Sequence, residues 1–262
     1  MIKSYLMVVK QDEKSQNIAN ILKEKLNGIL EYNESEPDLI ISIGGDGTML
    51  YALHEYFHLV DQVYFIGVHT GTLGFYTDYL ADEIDELVAD IKKGEYTINK
   101  RAVLDVEVID ENGTAQYYAL NEMRIENPHY TQVLHVYINE EHLETFRGNG
   151  LCISTPSGST AYNKSLGGAV IHPDLEVMQL SEVAGIQHNA YRSLGSSIVL
   201  GKEQTVTLTC DRFDGVFIGI DQYSYNLKPF KKINVSLSSH SVQCIQYRPL
   251  TFISRIKRSF IS

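Results

Sequence analysis

The stretch Gly44-Gly45-Asp46-Gly47-Thr48 has the clearest capacity for chemistry in this chain. Glycines let a backbone turn tightly and approach a ligand closely. Their N–H groups cradle phosphate oxygens, helped by the N-terminus of a following helix. A carboxylate in such a loop repels phosphate unless it has a separate role. It could take the proton of an attacking hydroxyl or help to hold Mg2+. Read as structure alone, the stretch is a tight turn with an N-capping Asp. Three glycines around one acid exceed what a cap requires. The spacing is neither Walker A nor Gly-x-Gly-x-x-Gly.

Two further clusters carry polar groups. Asn121-Glu122 interrupts the apolar run Tyr117–Ile125, and on one continuous strand the two side chains would face opposite ways. From Phe146 to Gly168 the chain is dense in Gly, Ser and Thr and contains Pro156, a composition suited to loops that wrap a ligand. Its amides and hydroxyls could orient a base or a ribose, and Tyr162 could stack on a base. Ser157-Gly-Ser lacks the Gly-x-Ser-x-Gly elbow of a nucleophilic serine. Asp221-Gln222 follows the apolar run Val216–Ile220 and is a candidate polar contact. The nine histidines include one His-Glu-x-x-His spacing, His54 to His58, but His58 falls past the helical period 49–57 and no zinc centre is expected.

These groups must be held by regular elements. Tyr5–Val9, Asp38–Ile43 and Val63–Val68 read as buried strands, and the second runs directly into the glycine loop. Helical periods occupy 12–30, 49–57 and 79–92, with Gly94 as a stop. Strand–helix alternation predicts parallel pairing in an open, Rossmann-like α/β sheet, whose ligands bind at the carboxyl ends of the strands. After about residue 100 the pattern changes to short strands: Ala102–Ile109, Tyr117–Ile125, Val133–Ile138, Thr205–Thr209, Val216–Ile220 and Ile233–Leu237. Residues 251–261 regain a helical period. The expected organisation is an α/β domain over 1–100 and a β-rich, sandwich-like domain over 101–249. A terminal helix near 250–262 is expected to pack back on the first domain.

Composition narrows the function classes. The formal net charge is −11, with no broad basic face, so nucleic acid is not an expected partner. Phosphate recognition must be local. Three widely spaced cysteines exclude a disulfide framework and fit a reducing, cytoplasmic setting. No apolar stretch approaches the ~18 residues of a membrane span, and the N-terminal apolar run is short for a signal peptide.

Taken in order, the blocks Gly44–Thr48, Gly67-Val-His-Thr-Gly71, Leu73-Gly-Phe-Tyr76, Asn121-Glu122, Arg147–Ser165 and Gly167-Gly168 resemble the NAD kinase family, in its low-GC Gram-positive form. The first block is shared with lipid kinases and 6-phosphofructokinases. The combination with Asn121-Glu122 and Thr160–Ser165 is the specific part. The resemblance implies phosphorylation of the adenosine ribose 2′-hydroxyl of NAD by ATP or polyphosphate, with Mg2+ or Mn2+. It also implies a homotetramer or homodimer with NAD between domains. Asp46 would be the proton acceptor. Gly44, Gly45, Gly47 and Thr48 would contact phosphates, and Phe75 and Tyr76 would lie near adenine. Asn121 and Glu122 would hold ribose and diphosphate oxygens. Thr160, Ala161, Tyr162, Asn163, Lys164 and Ser165 would bind adenine and its surroundings. Arg147, Asn149 and Ala184 would face the nicotinamide side, and Gln222 would lie near the phosphates. Asn149 departs from the family's Arg-Gly-Asp-Gly, replacing a charge with an amide. No side chain is assigned as a metal ligand.

Two other classes share parts of this pattern. A lipid kinase would use the same glycine loop, but Arg255-Ile-Lys-Arg258 is the only basic amphipathic stretch available to a membrane surface. A non-catalytic dinucleotide sensor would have little use for Asp46.

Overall fold

The computed structural model describes residues 2–71 and 74–261. Thr72 and Leu73, in the block between His69 and Tyr76, lie outside the described residues. The chain forms two compact units. One runs through Arg101 and resumes at His240, and the other is Ala102–Ser239.

In the first unit β1 (Ser4–Val9), α1 (Glu13–Leu26), β2 (Glu31–Tyr32), β3 (Leu39–Gly44), α2 (Asp46–Glu55), β4 (Tyr64–His69), β5 (Tyr79–Leu80) and α3 (Ile84–Lys93) follow in order. Strands pair in parallel as β4-β3-β1-β2, with β5 on β4. Every residue of β3 is buried, because both faces are covered. Leu39, Ile41 and Ile43 pack with Leu22 and Leu26 of α1 and Leu87 and Val88 of α3. The α1 helix starts where Asp12 accepts the Ser15 N–H at 2.8 Å. It stops at Leu26, short of the expected residue 30, because Gly28 turns the chain with φ 76°. The α3 helix ends at Gly94 in the left-handed region, as its sequence implies.

The second unit holds β6 (Thr97–Ile109), β7 (Thr114–Ala119), β8 (Glu122–Glu126), β9 (Gln132–Ile138), β10 (Glu141–Gly148), β11 (Gly150–Ser154), α4 (Tyr162–Ser165), β12 (Val177–Val183), β13 (Ile198–Gly201), β14 (Thr205–Cys210), β15 (Phe217–Ile220) and β16 (Tyr223–Asn226). The start of β6 belongs to the first unit. One antiparallel layer contains β10-β9-β14 and the first part of β17 (Lys232–Gln246). The other is antiparallel in the order β13-β12-β11-β8-β15-β16. The apolar faces of the two layers make one core, with Leu134, Val136, Val206 and Ile233 from one and Ile125, Ile153, Leu180 and Ile218 from the other. The last part of β17 returns to the first unit, where Cys244 lies opposite Phe65 of β4. Helix α5 (Phe252–Phe260) follows, capped by Thr251.

Several elements differ from the sequence expectation. Tyr117–Ile125 is two strands, not one, because the chain leaves β7 at Ala119 and enters a different layer at Glu122. Gly150–Ser154, expected as loop, is a fully buried strand, since Leu151, Cys152 and Ile153 supply a strand's apolar content. Helix α2 begins at Asp46, three residues before the expected start. Residues 79 and 80 form β5 before α3 begins. Strands β10, β12, β13 and β16 were not among the expected strands.

Candidate active site

At the carboxyl ends of β1, β3 and β4 the first unit opens into a cleft of about 1060 Å3. Gly44, Gly45, Gly47 and Thr48 line it together with Lys10, Lys14 and His69. The glycine loop is the joint between β3 and α2, with Gly45 as the helix N-cap residue. Thr48 Oγ1 accepts the Gly45 N–H at 3.3 Å. A Cβ on Gly44 would overlap that hydroxyl, so only glycine lets strand and helix meet so closely. Lys14 donates to the Thr70 carbonyl and Lys10 pairs with Asp12 at 3.0 Å. His69 accepts the Gly71 N–H on Nδ1 at 2.8 Å, and burial pulls its pKa below the usual imidazole range. The cleft thus offers a helix N-terminus, exposed glycine backbone and two lysines, a combination suited to phosphate.

Asp46 is the first residue of α2, but its carboxylate turns toward the segment 74–76. Oδ2 accepts the Phe75 N–H at 2.8 Å and Oδ1 the Tyr76 N–H at 3.0 Å. A Cβ on Gly74 would overlap this carboxylate. Phe75 and Tyr76 are therefore brought to Asp46 through their backbones. The Phe75 ring packs on Phe260 of α5, with ring centroids 5.6 Å apart. A carboxylate offers about four lone-pair directions, so two accepted bonds leave room for a proton.

The second unit carries a polar sheet face. Alternation along β8 sends Met123 and Ile125 into the core and Glu122, Arg124 and Glu126 to the other side. Register sets Ser154 opposite Glu122, and Cys152 opposite both Arg124 and Ser181. Asn163 of α4 accepts the Ser181 hydroxyl at 2.6 Å. Tyr162 donates its hydroxyl to Glu126 at 2.8 Å, and Arg124 stacks on its ring at 4.9 Å. Burial and the Glu126 bond push the Tyr162 phenol up to about 12. Among the described residues Glu122 Oε2, Ser154 Oγ and Asn163 Nδ2 are buried without a hydrogen-bond partner. Three such atoms in one neighbourhood mark a face built to meet polar ligand groups. Burial, then the Asp221 charge, push the Glu122 carboxyl up to about 7, against the pull of Arg124. Burial also raises the Cys152 thiol, so it is no thiolate nucleophile.

Asn121 and Glu122 sit at the β7–β8 corner, a correction to the expected mid-strand placement. Asp221 makes that corner. Its carboxylate accepts the N–H groups of Leu120 at 2.9 Å, Asn121 at 2.7 Å and Glu122 at 3.2 Å. Thr155 ties its other side, donating its hydroxyl to the Leu120 carbonyl at 2.5 Å and its N–H to the Asn121 carbonyl at 2.9 Å. The loop after it folds through Thr160 and Ala161 into α4, where Lys164 and Ser165 are exposed. Gln222 is exposed beside buried Asp221. Arg147, Asn149 and Ala184 form a separate group at the β10–β11 junction. Asn149 lies between the two strands, its N–H on the Val183 carbonyl at 3.0 Å and its amide on the Asn127 carbonyl at 3.3 Å. Arg147 stacks on Tyr191 at 4.3 Å, and Ala184 is exposed with φ 47°.

Arg124, Glu126 and Ser181 escaped the sequence reading, as did the cleft lysines. Alternation within Glu122-Met-Arg-Ile-Glu126 was the available signal for the first two. Among the described residues no three His, Cys, Asp or Glu side chains converge as a metal set. No helix among them is long and apolar enough to cross a membrane.

Comparison with known proteins matches both parts of the chain. Residues 3–96 match the ATP-NAD kinase N-terminal domain and residues 120–247 the ATP-NAD kinase C-terminal domain. NAD kinase 1 of Bacillus anthracis is 40% identical over 264 residues, 98% of each chain. An NAD kinase of Geobacillus stearothermophilus is 43% identical, covering 95% of this chain and 94% of that one. Yeast NADH kinase complexed with NADH superposes with a TM-score of 0.82 at 17% identity, over 98% of this chain and 86% of its own. An NAD kinase from Archaeoglobus fulgidus in complex with ATP gives 0.72 at 20% identity, over 98% and 95%. The two matched domains contain the glycine-loop cleft and the polar sheet face respectively, and the chain belongs to the NAD kinase family.

Proposed function

We propose that this chain transfers a phosphoryl group from ATP or inorganic polyphosphate to the adenosine ribose 2′-hydroxyl of NAD, giving NADP. The observation that carries the reading is near-full-length similarity to NAD kinases, joined to a phosphate-suited cleft beside Asp46. Asp46 accepts the hydroxyl proton as the new O–P bond forms and the donor's bridging oxygen leaves. Gly44, Gly45, Gly47, Thr48 and Lys14 hold donor phosphates. Asn121, Glu122, Tyr162, Asn163 and their neighbours Thr160, Ala161, Lys164 and Ser165 bind the adenosine part of NAD, with Phe75 and Tyr76 near the base. Arg147, Asn149 and Ala184 serve the nicotinamide side, and Gln222 the phosphates. A divalent cation, Mg2+ or Mn2+, accompanies the donor's phosphates as part of that substrate. A cytoplasmic homotetramer or homodimer completes the proposal.

Incubating the purified protein with NAD and either ATP or polyphosphate, with and without Mg2+, tests this directly. NADP should form only with a donor and the cation. No NADP from any donor, despite NAD binding, would leave the sensor reading in its place. Lys14→Ala should raise the donor KM several-fold and leave the NAD KM nearly unchanged.

A further inference from the structure

We infer that Arg255, in the C-terminal helix α5, is a positioning residue for Asp46, acting through the Gly74–Phe75 peptide. The inference rests on the proposed role of Asp46 as proton acceptor.

Arg255 is only 5% exposed. One guanidinium nitrogen, Nη1, donates to the Gly74 carbonyl at 3.1 Å and the Thr77 carbonyl at 2.7 Å. The other, Nη2, donates to the Asp78 carboxylate. The Gly74 carbonyl belongs to the same planar amide as the Phe75 N–H, and in a trans peptide the two point in opposite directions. That N–H donates to Asp46 Oδ2 at 2.8 Å. One amide plane is therefore held between a buried cation on its oxygen side and the Asp46 carboxylate on its N–H side. The alignment polarises the amide and strengthens both bonds.

The rest of the segment is shaped for this clamp. The Gly74 N–H donates to Thr77 Oγ1 at 3.0 Å, and the Asp78 N–H donates to the Gly67 carbonyl at 3.0 Å. Gly74 has no Cβ to push Asp46 away. A planar fork with several donors reaches two carbonyls and a carboxylate at once, which a lysine ammonium on its stem cannot reproduce. Buried ion pairs are weak sources of net stability, so the Arg255–Asp78 pair fits a geometric role better than a stabilising one. Arg248 is the natural contrast. It binds the Asp78 carbonyl at 2.7 Å and Glu83 and Glu86, and it makes no bond to Gly74 or Phe75.

The test combines kinetics with amide exchange. Arg255→Gln should lower kcat at least tenfold while the NAD KM stays within about threefold. In an Asp46→Asn background the same change should cost less than about twofold, because the group it positions is gone. Arg255→Lys, which keeps the charge, should fall between. Amide exchange at Phe75 and Tyr76, followed by NMR, should accelerate in Arg255→Gln and not in Arg248→Gln. Equal fold losses with and without Asp46, or a loss in Arg248→Gln matching that of Arg255→Gln at equal Tm, would overturn the inference. So would unchanged exchange at Phe75, a readout that needs no turnover and stands even if the parent protein forms no NADP. Parent activity with NAD is measured first, so failure of the kinase reading is seen separately.

Discussion

Asp46 has a double engagement, and its substitution must be read accordingly. Asp46→Asn removes the basic oxygen and also turns an NH2 toward either the Phe75 or the Tyr76 N–H, both of which now donate to it. Turnover should fall roughly 10²–10⁴-fold. Single-turnover kinetics with separate NAD-binding calorimetry divides lost basicity from a displaced loop, because only displacement moves affinity. Glu122 makes a pH prediction. Its carboxyl rises from 4.5 to about 7 on folding, chiefly through burial and Asp221. A raised carboxyl pKa favours folding fully below about 4.5, and that contribution is lost as pH rises through 7. Glu122→Gln should therefore gain stability relative to the parent between pH 5 and pH 8, by on the order of 3 kcal/mol at the upper end. Thermal melts of both proteins across that range check the sign. At the proposed nicotinamide-side position, Asn149→Asp introduces the charge that the resemblance implies there but loses the donor to the Asn127 carbonyl. It should change mainly the NAD KM, and a collapse of kcat with KM intact would contradict its placement as a binding residue.

At the scale of elements, the β7–β8 corner is the junction on which the polar sheet face depends. One carboxylate, Asp221, takes three backbone N–H groups there and is 5% exposed. Asp221→Ala leaves those donors unpaired and should cost about 3–5 kcal/mol, read by urea denaturation. Asp221→Asn keeps one acceptor and should cost clearly less. Asp221 has φ 49°, a conformation that Asp and Asn tolerate better than β-branched residues, so Asp221→Val should be worse than Asp221→Ala. On the neighbouring loop, Tyr162 is fixed by Glu126 and Arg124 before any ligand arrives. Tyr162→Ala should weaken NAD binding by roughly 1–3 kcal/mol if the ring stacks on the base. Unchanged calorimetric affinity would assign the ring to structural support of Arg124.

For the whole molecule, an acidic chain binding anionic substrates must rely on local donors, and the cleft and sheet face supply them against a net charge of −11. NAD at about one hundred times its Kd should stabilise the folded state by about 2.7 kcal/mol, which corresponds to a Tm rise of roughly 5–10 °C.

The parallel sheet, the glycine loop at a strand end and the apolar faces of α1 and α3 were legible in the sequence by itself. Continuous apolar runs report strands covered on both sides, and helical periodicity reports helices whose two faces differ. The blocks Gly44–Thr48, Asn121-Glu122 and Thr160–Ser165 likewise pointed to an NAD kinase. Only the tertiary structure decided where Tyr117–Ile125 breaks, because a strand changing layers keeps its apolar content while its partners change. Only folding brings Asp221 to Leu120, some 101 residues away in the chain. The same holds for Arg255, which meets Gly74 across 181 residues. A hydrogen bond forms between groups that meet in space, and no local pattern records which distant carboxylate or guanidinium will close a corner or clamp a peptide.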